Sequence, residues 1–580
     1  MSTVKKINYI LSPEQKKNFY ILLLVSSVVS FLEIVGISAI LPVLIIFSDS
    51  SFIENKYIAF ILDSFEFINK DNILSSAIFF LFFIYVFKTL AAVVLNVIKY
   101  RILFGYYEKI SRRLMKNYLN LTYSDFIKLK VFEKTNIIKT EVEYLVMGVI
   151  EPFLIIFFEG LAILFIATFL LFYNPELTIK IILILIPIVT FLLHYFGKKL
   201  KLRGHERHIL NNELQKQINQ GLHGIKDIKL SQKEDIYLNK FSGITSSMSS
   251  VMASIYSWQM IPRHLLELLT IITFIAICLV GMQSEIVFSE LVVTLGLFAA
   301  AAFRVMPSLN RIMVSYNSIR QIKKVADVIY DDLKLEKKDG SLYQEKINNS
   351  KVVDKIEEIE IENLSFKFPE NKNLIIENLN LKISRGSYIG IFGKSGTGKT
   401  TFVDLFSGLL TPTNGIIKFN KKDILKNKNL WRKHISYVPQ SIYLNNESIR
   451  ENIAFGQEQD DIKNKKVIES LKSAQLLDFV NSLPDGIDTI VGENGKNLSG
   501  GQIQRLGIAR ALYRDSTILI FDESTNSLDD ETEKEFMDIV SKLKEDRIIL
   551  FISHKISILR KCDIVYELNN KLLKKQNINN

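Results

Sequence analysis

Apolar residues are concentrated before residue 320, where they form six stretches that are each long enough to cross a bilayer. A hydrocarbon core about 30 Å thick needs roughly 20 apolar residues in a helix. A buried helix of a soluble protein would explain one such stretch, but not six that contain so few charges. Residues 1–333 are therefore predicted to form a polytopic α-helical membrane domain. Its spans are predicted near residues 19–47, 73–98, 152–172, 177–196, 265–282 and 286–309.

Lysine and arginine are concentrated in two long segments between the spans, residues 100–147 and 197–263, whereas the other connections are short or acidic. Since basic residues are enriched on cytoplasmic loops, these two segments and both chain ends are predicted to face the cytoplasm. Both segments have a helical, polar pattern, so the spanning helices are predicted to continue below the membrane. They are predicted to turn around residues 122–125 and 221–230, where they can meet a cytoplasmic domain.

Residues 49–72, between the first two predicted spans, alternate charges with Phe, Ile, Leu and Tyr. The pattern suits a short amphipathic helix that lies in the outer membrane interface, and an ordinary folded loop is the alternative. In the first interpretation this segment contacts membrane lipid.

Lys88 and Arg304 lie within the predicted spans, and Arg263 lies two residues before the fifth of them. A charge at the bilayer centre costs about 3 kcal/mol on insertion scales and is tolerated mainly where it faces a cavity or a partner. Together these residues are candidates to line a chamber for an anion, in which arginine offers a planar fork to phosphate oxygens. The alternatives are snorkelling near a span end and internal pairing with acidic span residues. Those acidic residues are Glu33, Glu159 and Glu267.

The composition agrees with a membrane protein, because 48% of the residues are hydrophobic and the mean hydropathy is +0.19. A net charge of +11 suits basic cytoplasmic loops as well as a nucleic-acid groove. We predict the first and expect no nucleic-acid partner. The two cysteines, Cys278 and Cys562, form neither a disulfide framework nor a zinc-ligand spacing, so the soluble part is predicted to be cytosolic.

After residue 320 the pattern changes to short apolar runs that alternate with helical stretches. Residues 334–358 are charged and are predicted to form a linker, and residues 359–580 an α/β domain. A glycine-rich turn lies between the apolar run 388–392 and a helical stretch that begins at Thr401. The turn fits the spacing G-x-x-x-x-G-K-[ST], in which backbone N–H groups and a helix N-terminus cradle phosphate oxygens. The residues of this phosphate cradle are Gly393, Lys394, Ser395, Gly396, Thr397, Gly398, Lys399 and Thr400. Thr401, directly after them, is also predicted to bind the nucleotide.

Individual roles follow for four residues in or near the phosphate cradle. Lys399 is predicted to reach the β- and γ-phosphates of a nucleotide, and Thr400 to offer its hydroxyl to Mg²⁺. Phe368 precedes the cradle and presents an aromatic face to an adenine ring. Gln440 follows an apolar run, and its side-chain amide is predicted to bind Mg²⁺ or its water.

A second phosphate-binding segment begins another helix downstream. Its hydroxyl, exposed N–H groups and helix dipole can hold a γ-phosphate. The segment consists of Leu498, Ser499, Gly500, Gly501 and Gln502.

Acidic residues follow the apolar run 517–521. Asp522 is predicted to hold Mg²⁺ through water, and Glu523 to orient or deprotonate the attacking water. Asp529 closes a short loop after them and, with Gln440, is a further candidate catalytic residue. His554 comes just past another buried run and is predicted to contact the γ-phosphate. A lone histidine is more often structural, but its position past a strand end favours function.

These motifs, in this order, resemble the set that defines ATP-binding cassette (ABC) proteins, and residues 483–495 resemble the segment before the signature in ABC exporters. The resemblance implies that ATP with Mg²⁺ is sandwiched between the cradle of one cassette and the signature, residues 498–502, of another. One chain has one cassette, so a homodimer is implied, and Glu523 implies two hydrolysing sites. Phe368 stands where this family usually has Tyr, which retains stacking.

Four membrane stretches resemble flippases of the PglK type, which move lipid-linked oligosaccharides in bacterial protein N-glycosylation. The resemblance implies ATP-driven flipping of a polyprenyl-pyrophosphate-linked oligosaccharide to the outer leaflet of the bacterial inner membrane, with the cassette in the cytoplasm. The alternatives are an ABC exporter of another lipid, a peptide or a drug, and a soluble DNA-handling ATPase, against which the six spans argue. The four stretches are residues 30–34, 55–57, 261–267 and 303–312.

Overall fold

The computed structural model describes residues 3–40, 73–283, 288–334, 355–369, 371, 373–525 and 529–577. The chain divides into two compact units. The first comprises Met1–Leu121 and Leu129–Tyr343, and the second Thr122–Lys128 and Gln344–Asn580. The predicted amphipathic segment 49–72 and most of the predicted linker 334–358 lie outside the described residues.

The first unit is α-helical, with two π-helical turns at Ile137–Glu141 and Val146–Ile150. The short helix α4 (Tyr123–Phe126) interrupts it in sequence and belongs to the second unit. The helices of the first unit are α1 (Thr3–Ile10), α2 (Pro13–Ser38), α3 (Ile73–Leu119), α5 (Val131–Asn136), α6 (Val142–Leu145), α7 (Glu151–Tyr173), α8 (Pro175–His223), α9 (Ile225–Ser231), α10 (Glu234–Gln283) and α11 (Phe288–Lys334).

Five helical segments in the described part of the chain are long and apolar enough to cross a membrane, which confirms a polytopic helical membrane domain. They run well past the predicted spans, as the helical pattern of the basic loops indicated. The remaining predicted span, residues 19–47, begins within α2 and continues from residue 41 outside the described residues. The five segments are Ile78–Leu119, Val131–Tyr173, Pro175–His223, Glu234–Ala276 and Val293–Arg320.

Local sequence signals explain where these helices begin and end. Asn174 caps α8, because its side-chain oxygen accepts a hydrogen bond from the Leu177 N–H at 3.1 Å. Gly224 separates α8 from α9, close to the predicted turn at 221–230. The other predicted turn, at 122–125, is α4, which Thr122 caps by accepting from the Asp125 N–H. Both predicted turns therefore occur, each marked by a capping or helix-breaking residue.

The second unit contains two sheets. An antiparallel sheet has the order β2-β1-β4-β5, and a six-stranded sheet has the order β10-β9-β3-β8-β7-β6, which is parallel except for the β10–β9 pair. The strands are β1 (Glu358–Phe366), β2 (Ile376–Ser384), β3 (Tyr388–Phe392), β4 (Asn414–Phe419), β5 (Lys422–Asp423), β6 (Ile435–Val438), β7 (Ile518–Asp522), β8 (Ile548–Ile552), β9 (Ile564–Asn569) and β10 (Leu572–Gln576).

Helices and short 3₁₀ turns connect these strands, so the predicted α/β domain is confirmed. The helices are α12 (Lys399–Phe406), α13 (Lys428–Lys433), α14 (Ile449–Ile453), α15 (Asn464–Ser473), α16 (Leu477–Asn481), α17 (Gly500–Tyr513), α18 (Asp530–Leu543) and α19 (Ile556–Leu559). The 3₁₀ turns are Gln459–Asp461, Gly486–Asp488 and Glu493–Gly495.

The central strands of the parallel sheet determine where the candidate site lies. Every residue of β7 and β8 is buried, which explains their continuous apolar runs. Since β3, β7 and β8 are parallel neighbours, their carboxyl ends meet at one edge of the sheet. That edge carries the phosphate cradle after β3, Asp522 and Glu523 at the end of β7, and His554 after β8. Ligands of open α/β sheets bind at this edge.

Candidate nucleotide-binding and substrate sites

Two glycines shape the phosphate cradle. Gly398 precedes α12 with φ +103°, a left-handed conformation that strains other residues, and a Cβ there would lie 2.7 Å from the Ile375 side chain. A Cβ on Gly393 would lie 2.4 Å from the Leu568 carbonyl oxygen. The turn therefore requires glycine at both positions, and it delivers the chain to the N-terminus of α12, where a phosphate is favoured.

Lys399 is held across the phosphate cradle. Its ammonium donates to the Gly393 carbonyl at 2.7 Å and the Lys394 carbonyl at 3.2 Å, and the residue is 8% exposed. Burial lowers the pKa of Lys399, while the nearby charges of Glu523 and Asp522 oppose that shift. The structure thus places one positive charge at the predicted phosphate position, next to the two acidic residues.

Glu523 lies in contact with two of the predicted site residues. One carboxylate oxygen accepts from the Gln440 amide at 2.9 Å, and the other lies 3.1 Å from Nε2 of His554. That nitrogen is also 3.1 Å from the Lys399 ammonium, and since it carries one hydrogen or one lone pair it can serve one of these partners at a time. The predicted residues Lys399, Gln440, Glu523 and His554 are therefore brought together.

The backbone at Glu523 is unusual. It has φ +48°, in the left-handed region, and is held there by a 2.9 Å hydrogen bond from its N–H to the Ile552 carbonyl. For a residue other than glycine this conformation stores strain, and such residues cluster at functional sites. The strained turn aims the carboxylate away from β7 towards Gln440 and His554.

Asp522 is buried, with 6% of its surface exposed, and burial raises the pKa of its carboxyl group. The Tyr437 hydroxyl donates to its Oδ2 at 3.0 Å. Burial and the Asp522 charge raise the pKa of the Tyr437 phenol, so it stays a donor at neutral pH. Burial and the Asp522 charge also raise the pKa of Asp404 on α12 to about 6. Sequence reasoning missed Tyr437 and Asp404.

The donor set fits Mg²⁺. A carboxylate, a threonine hydroxyl and a glutamine amide offer hard oxygen atoms, which Mg²⁺ prefers, and nucleotide phosphates supply the others. Among the described residues no group of three or more His, Cys, Asp or Glu side chains is arranged to hold a metal by itself. These oxygens therefore suit a metal that arrives with the nucleotide. The residues predicted to hold it remain Thr400, Asp522 through water, and Gln440 directly or through water.

The remaining predicted residues occupy separate positions. Phe368 is half-buried and packs edge-on against Phe366, with 5.1 Å between ring centroids. Ser499 is exposed and caps α17 together with Gln502. Within the described part of the chain no hydrogen bond or ion pair joins residues 498–502 to the phosphate cradle, so one chain does not assemble both. Asp529 caps α18 by accepting from the Thr532 N–H at 3.1 Å, and its predicted catalytic role stays a prediction.

A polar cavity of about 270 Å³ lies between α10 and α11 in the first unit, and Arg263, Asn310 and Arg311 line it. The Asn310 amide oxygen is buried and has no hydrogen-bond partner among the described residues. Arg263 pairs with Glu267 on its own helix at 2.9 Å. Arg311 pairs with Glu159 of α7 at 2.6 Å. The polar cavity therefore contains guanidinium groups held by carboxylates.

The other predicted substrate residues lie elsewhere. Arg304 does not line the polar cavity but contacts Glu159 at 3.3 Å and the Ser308 hydroxyl at 2.8 Å. Internal pairing, the alternative interpretation of the span charges, thus applies to Arg304. Lys88 is half-buried, with its ammonium 4.8 Å from the Tyr85 ring centroid. Glu33, the third acidic candidate partner, lies outside the residues whose side chains are described.

An apolar cavity of about 740 Å³ adjoins the polar cavity. It lies between α7, α8, α10 and α11, and the two cavities share Glu267, Met306 and Pro307. Apart from Glu267 and three threonines, its lining is apolar. The first unit thus places the polar cavity, which contains arginines, next to the apolar cavity.

Comparisons with known proteins also divide the chain into an N-terminal and a C-terminal part. Residues 18–304 match the family described as ABC transporter transmembrane region, and residues 376–526 match the family described as ABC transporter. An ATP-dependent lipid A-core flippase of Ralstonia nicotianae is 27% identical over 488 residues, which cover 82% of this chain and 79% of the relative. That of Wigglesworthia glossinidia brevipalpis is 29% identical over 489 residues, covering 81% of each chain.

The fold is also that of a solved structure. A bacterial Atm1-family ABC exporter with ATP bound matches with a TM-score of 0.76 at 18% identity, over 97% of this chain and 94% of that chain.

The two family matches together span more than half of the chain and follow one another in the order that the sequence predicted. They confirm a multi-pass membrane protein that binds ATP and couples its hydrolysis to transport, and the transmembrane match disfavours a soluble DNA-handling ATPase. The chain belongs to the ABC transporters, as an exporter-type half-transporter with a helical membrane domain followed by one nucleotide-binding cassette.

Proposed function

We propose that the protein flips a polyprenyl-pyrophosphate-linked oligosaccharide from the cytoplasmic to the outer leaflet of the bacterial inner membrane, for protein glycosylation. The observation that carries the proposal is the polar cavity lined by Arg263 and Arg311, directly beside the apolar cavity in the membrane-spanning helices. An anionic head group with an attached hydrocarbon chain matches both. The relatives named as lipid A-core flippases support a lipid cargo.

Charge favours an anion in the polar cavity. Three arginines at or next to it, Arg263, Arg304 and Arg311, face two glutamates, Glu159 and Glu267, which leaves one excess positive charge among these five groups. A pyrophosphate can replace carboxylates as the partner of a guanidinium, because both accept two parallel N–H bonds. The Asn310 amide oxygen, which has no hydrogen-bond partner among the described residues, can accept from a sugar hydroxyl.

A phosphorylated glycolipid of the lipid A type is the second candidate cargo. The named relatives favour this cargo. Its phosphates would bind in the polar cavity and its acyl chains in the apolar cavity, as proposed for the first candidate. Export of a peptide or a drug is the more distant alternative. These candidate cargoes can be distinguished by measuring which compound stimulates ATP hydrolysis. The compounds tested are a polyprenyl-pyrophosphate oligosaccharide, a phosphorylated lipid A, a cationic peptide and a neutral amphipathic drug. We expect the first to stimulate at the lowest concentration.

The nucleotide chemistry is proposed to take place between two copies of this chain. Within one chain the signature residues 498–502 are not joined to the phosphate cradle, whereas Lys399, Glu523 and His554 are together. A second copy supplies the missing signature, so that two ATP molecules with Mg²⁺ lie between two cassettes in the cytoplasm. Glu523 serves as general base, held by Gln440 and His554, and Phe368 stacks on adenine.

Arg263→Ala should reduce transport more than basal ATP hydrolysis. One charge-assisted hydrogen bond contributes about 1.5–3 kcal/mol, so we expect transport at limiting lipid to fall roughly 10- to 100-fold while basal hydrolysis stays within about twofold. Lipid translocation and phosphate release are measured on the same vesicles. Lys180→Ala is the matched control, because Lys180 forms the same i,i+4 pair, with Glu176, on a spanning helix and lines neither cavity. Equal losses of transport and hydrolysis in Arg263→Ala would point to a folding role.

A further inference from the structure

Tyr437 lies next to Asp522 because of the register of two parallel strands. Tyr437 on β6 pairs with Ile520 on β7. Side chains alternate along a strand, so Asp522, two residues beyond Ile520, lies on the same face of the sheet as Tyr437. A diagonal neighbour of this kind is within reach of a long aromatic side chain but not of a short one. The Tyr437 hydroxyl spans the gap and lies 3.0 Å from Oδ2 of Asp522.

The surroundings fix both groups. The Tyr437 ring is partly buried and packs against the core between the two sheets. Asp522 is 6% exposed, and in the described part of the chain the Tyr437 hydroxyl is the hydrogen-bond donor to its carboxylate. A buried carboxylate is therefore anchored through one oxygen by a side chain that cannot move freely, and its other oxygen is left for a different partner.

We propose that Tyr437 is a positioning residue that orients the Asp522 carboxylate for the Mg²⁺ that accompanies ATP. The inference rests on the proposed role of Asp522, whose carboxylate is predicted to hold Mg²⁺ through water. Groups that hydrogen-bond to a metal ligand fix its orientation, and their removal lowers metal affinity about 10- to 100-fold. Phenylalanine at position 437 keeps the ring and its packing but removes the donor. Tyr437 thus acts on the metal without touching it.

The test uses the full-length chain carrying Glu523→Gln, in nanodiscs, so that nucleotide is bound but not consumed. The affinity of a fluorescent ATP analogue is measured in EDTA and then as a function of Mg²⁺ concentration. With Tyr437→Phe added, we expect the EDTA affinity to stay within about twofold and the half-saturating Mg²⁺ concentration to rise about 10- to 100-fold. An unchanged Mg²⁺ dependence, or an equal loss of affinity with and without Mg²⁺, would overturn the proposal.

Two comparison variants separate the inference from its premise. Asp522→Asn removes the proposed ligand itself and should shift the Mg²⁺ dependence at least as far as Tyr437→Phe. If it does not, the ligand assignment fails and the role of Tyr437 fails with it. If Asp522→Asn shifts the Mg²⁺ dependence and Tyr437→Phe does not, only the positioning role is wrong. Tyr443→Phe, which removes a hydroxyl from a tyrosine that is 65% exposed, should match the parent protein.

Discussion

Glu523→Gln is expected to abolish ATP turnover while ATP binding stays intact. Both Gln440 and His554 contact the carboxylate, and its backbone is held in a strained conformation at the end of β7. Loss of a general base typically lowers the rate about 10²- to 10⁴-fold, whereas a glutamine of the same shape preserves the packing. Phosphate release and nucleotide affinity, measured on the same preparation, check both expectations.

The same variant should accumulate as a closed dimer with ATP, because the nucleotide that joins the two cassettes is no longer cleaved. Glu535→Gln, at an exposed position on α18, is the matched control and should hydrolyse ATP normally. Undiminished phosphate release from Glu523→Gln would refute its assignment as the base. Loss of nucleotide binding would instead show that the carboxylate supports the fold of the site.

Lys399→Ala should weaken ATP binding about 10- to 100-fold, since a hydrogen bond to a charged group contributes roughly 1.5–3 kcal/mol. The ammonium is buried and lies across the phosphate cradle, where it is predicted to meet the phosphates. Equilibrium binding of ATP measures the effect. Lys394→Ala is the control, because Lys394 is exposed and contributes its backbone carbonyl, which alanine retains. Normal ATP affinity in Lys399→Ala would contradict the interpretation of this loop as a phosphate cradle.

The sequence predicted the architecture because its main signals are local. Long apolar stretches have few stable solutions other than membrane-spanning helices, and five described segments lie where they were predicted. The spacing of Gly393, Gly398 and Lys399 predicted the phosphate cradle for a similar reason. Only glycine fits the backbone conformation and the close contacts at positions 393 and 398.

Contacts between distant residues could not be predicted in the same way. Arg304 and Glu159 are 145 positions apart, and whether Arg304 faces a cavity or pairs internally depends on how α7 and α11 pack. Tyr437 reaches Asp522 only through the register of β6 on β7, which no local motif encodes. Two short apolar strands, each ending near a predicted site residue, were the available signal. Knowledge of the strand order would have been needed to use it.

The proposed flipping is tested by ATP-dependent translocation in reconstituted vesicles. A fluorescent polyprenyl-pyrophosphate oligosaccharide is placed in the leaflet that faces the cassettes, and its appearance in the opposite leaflet is followed with and without ATP. We expect translocation that requires ATP, stops in Glu523→Gln and weakens in Arg263→Ala. The proposed cargo would be contradicted if the variants hydrolyse ATP as expected but the glycolipid crosses the vesicle membrane no faster with ATP than without it.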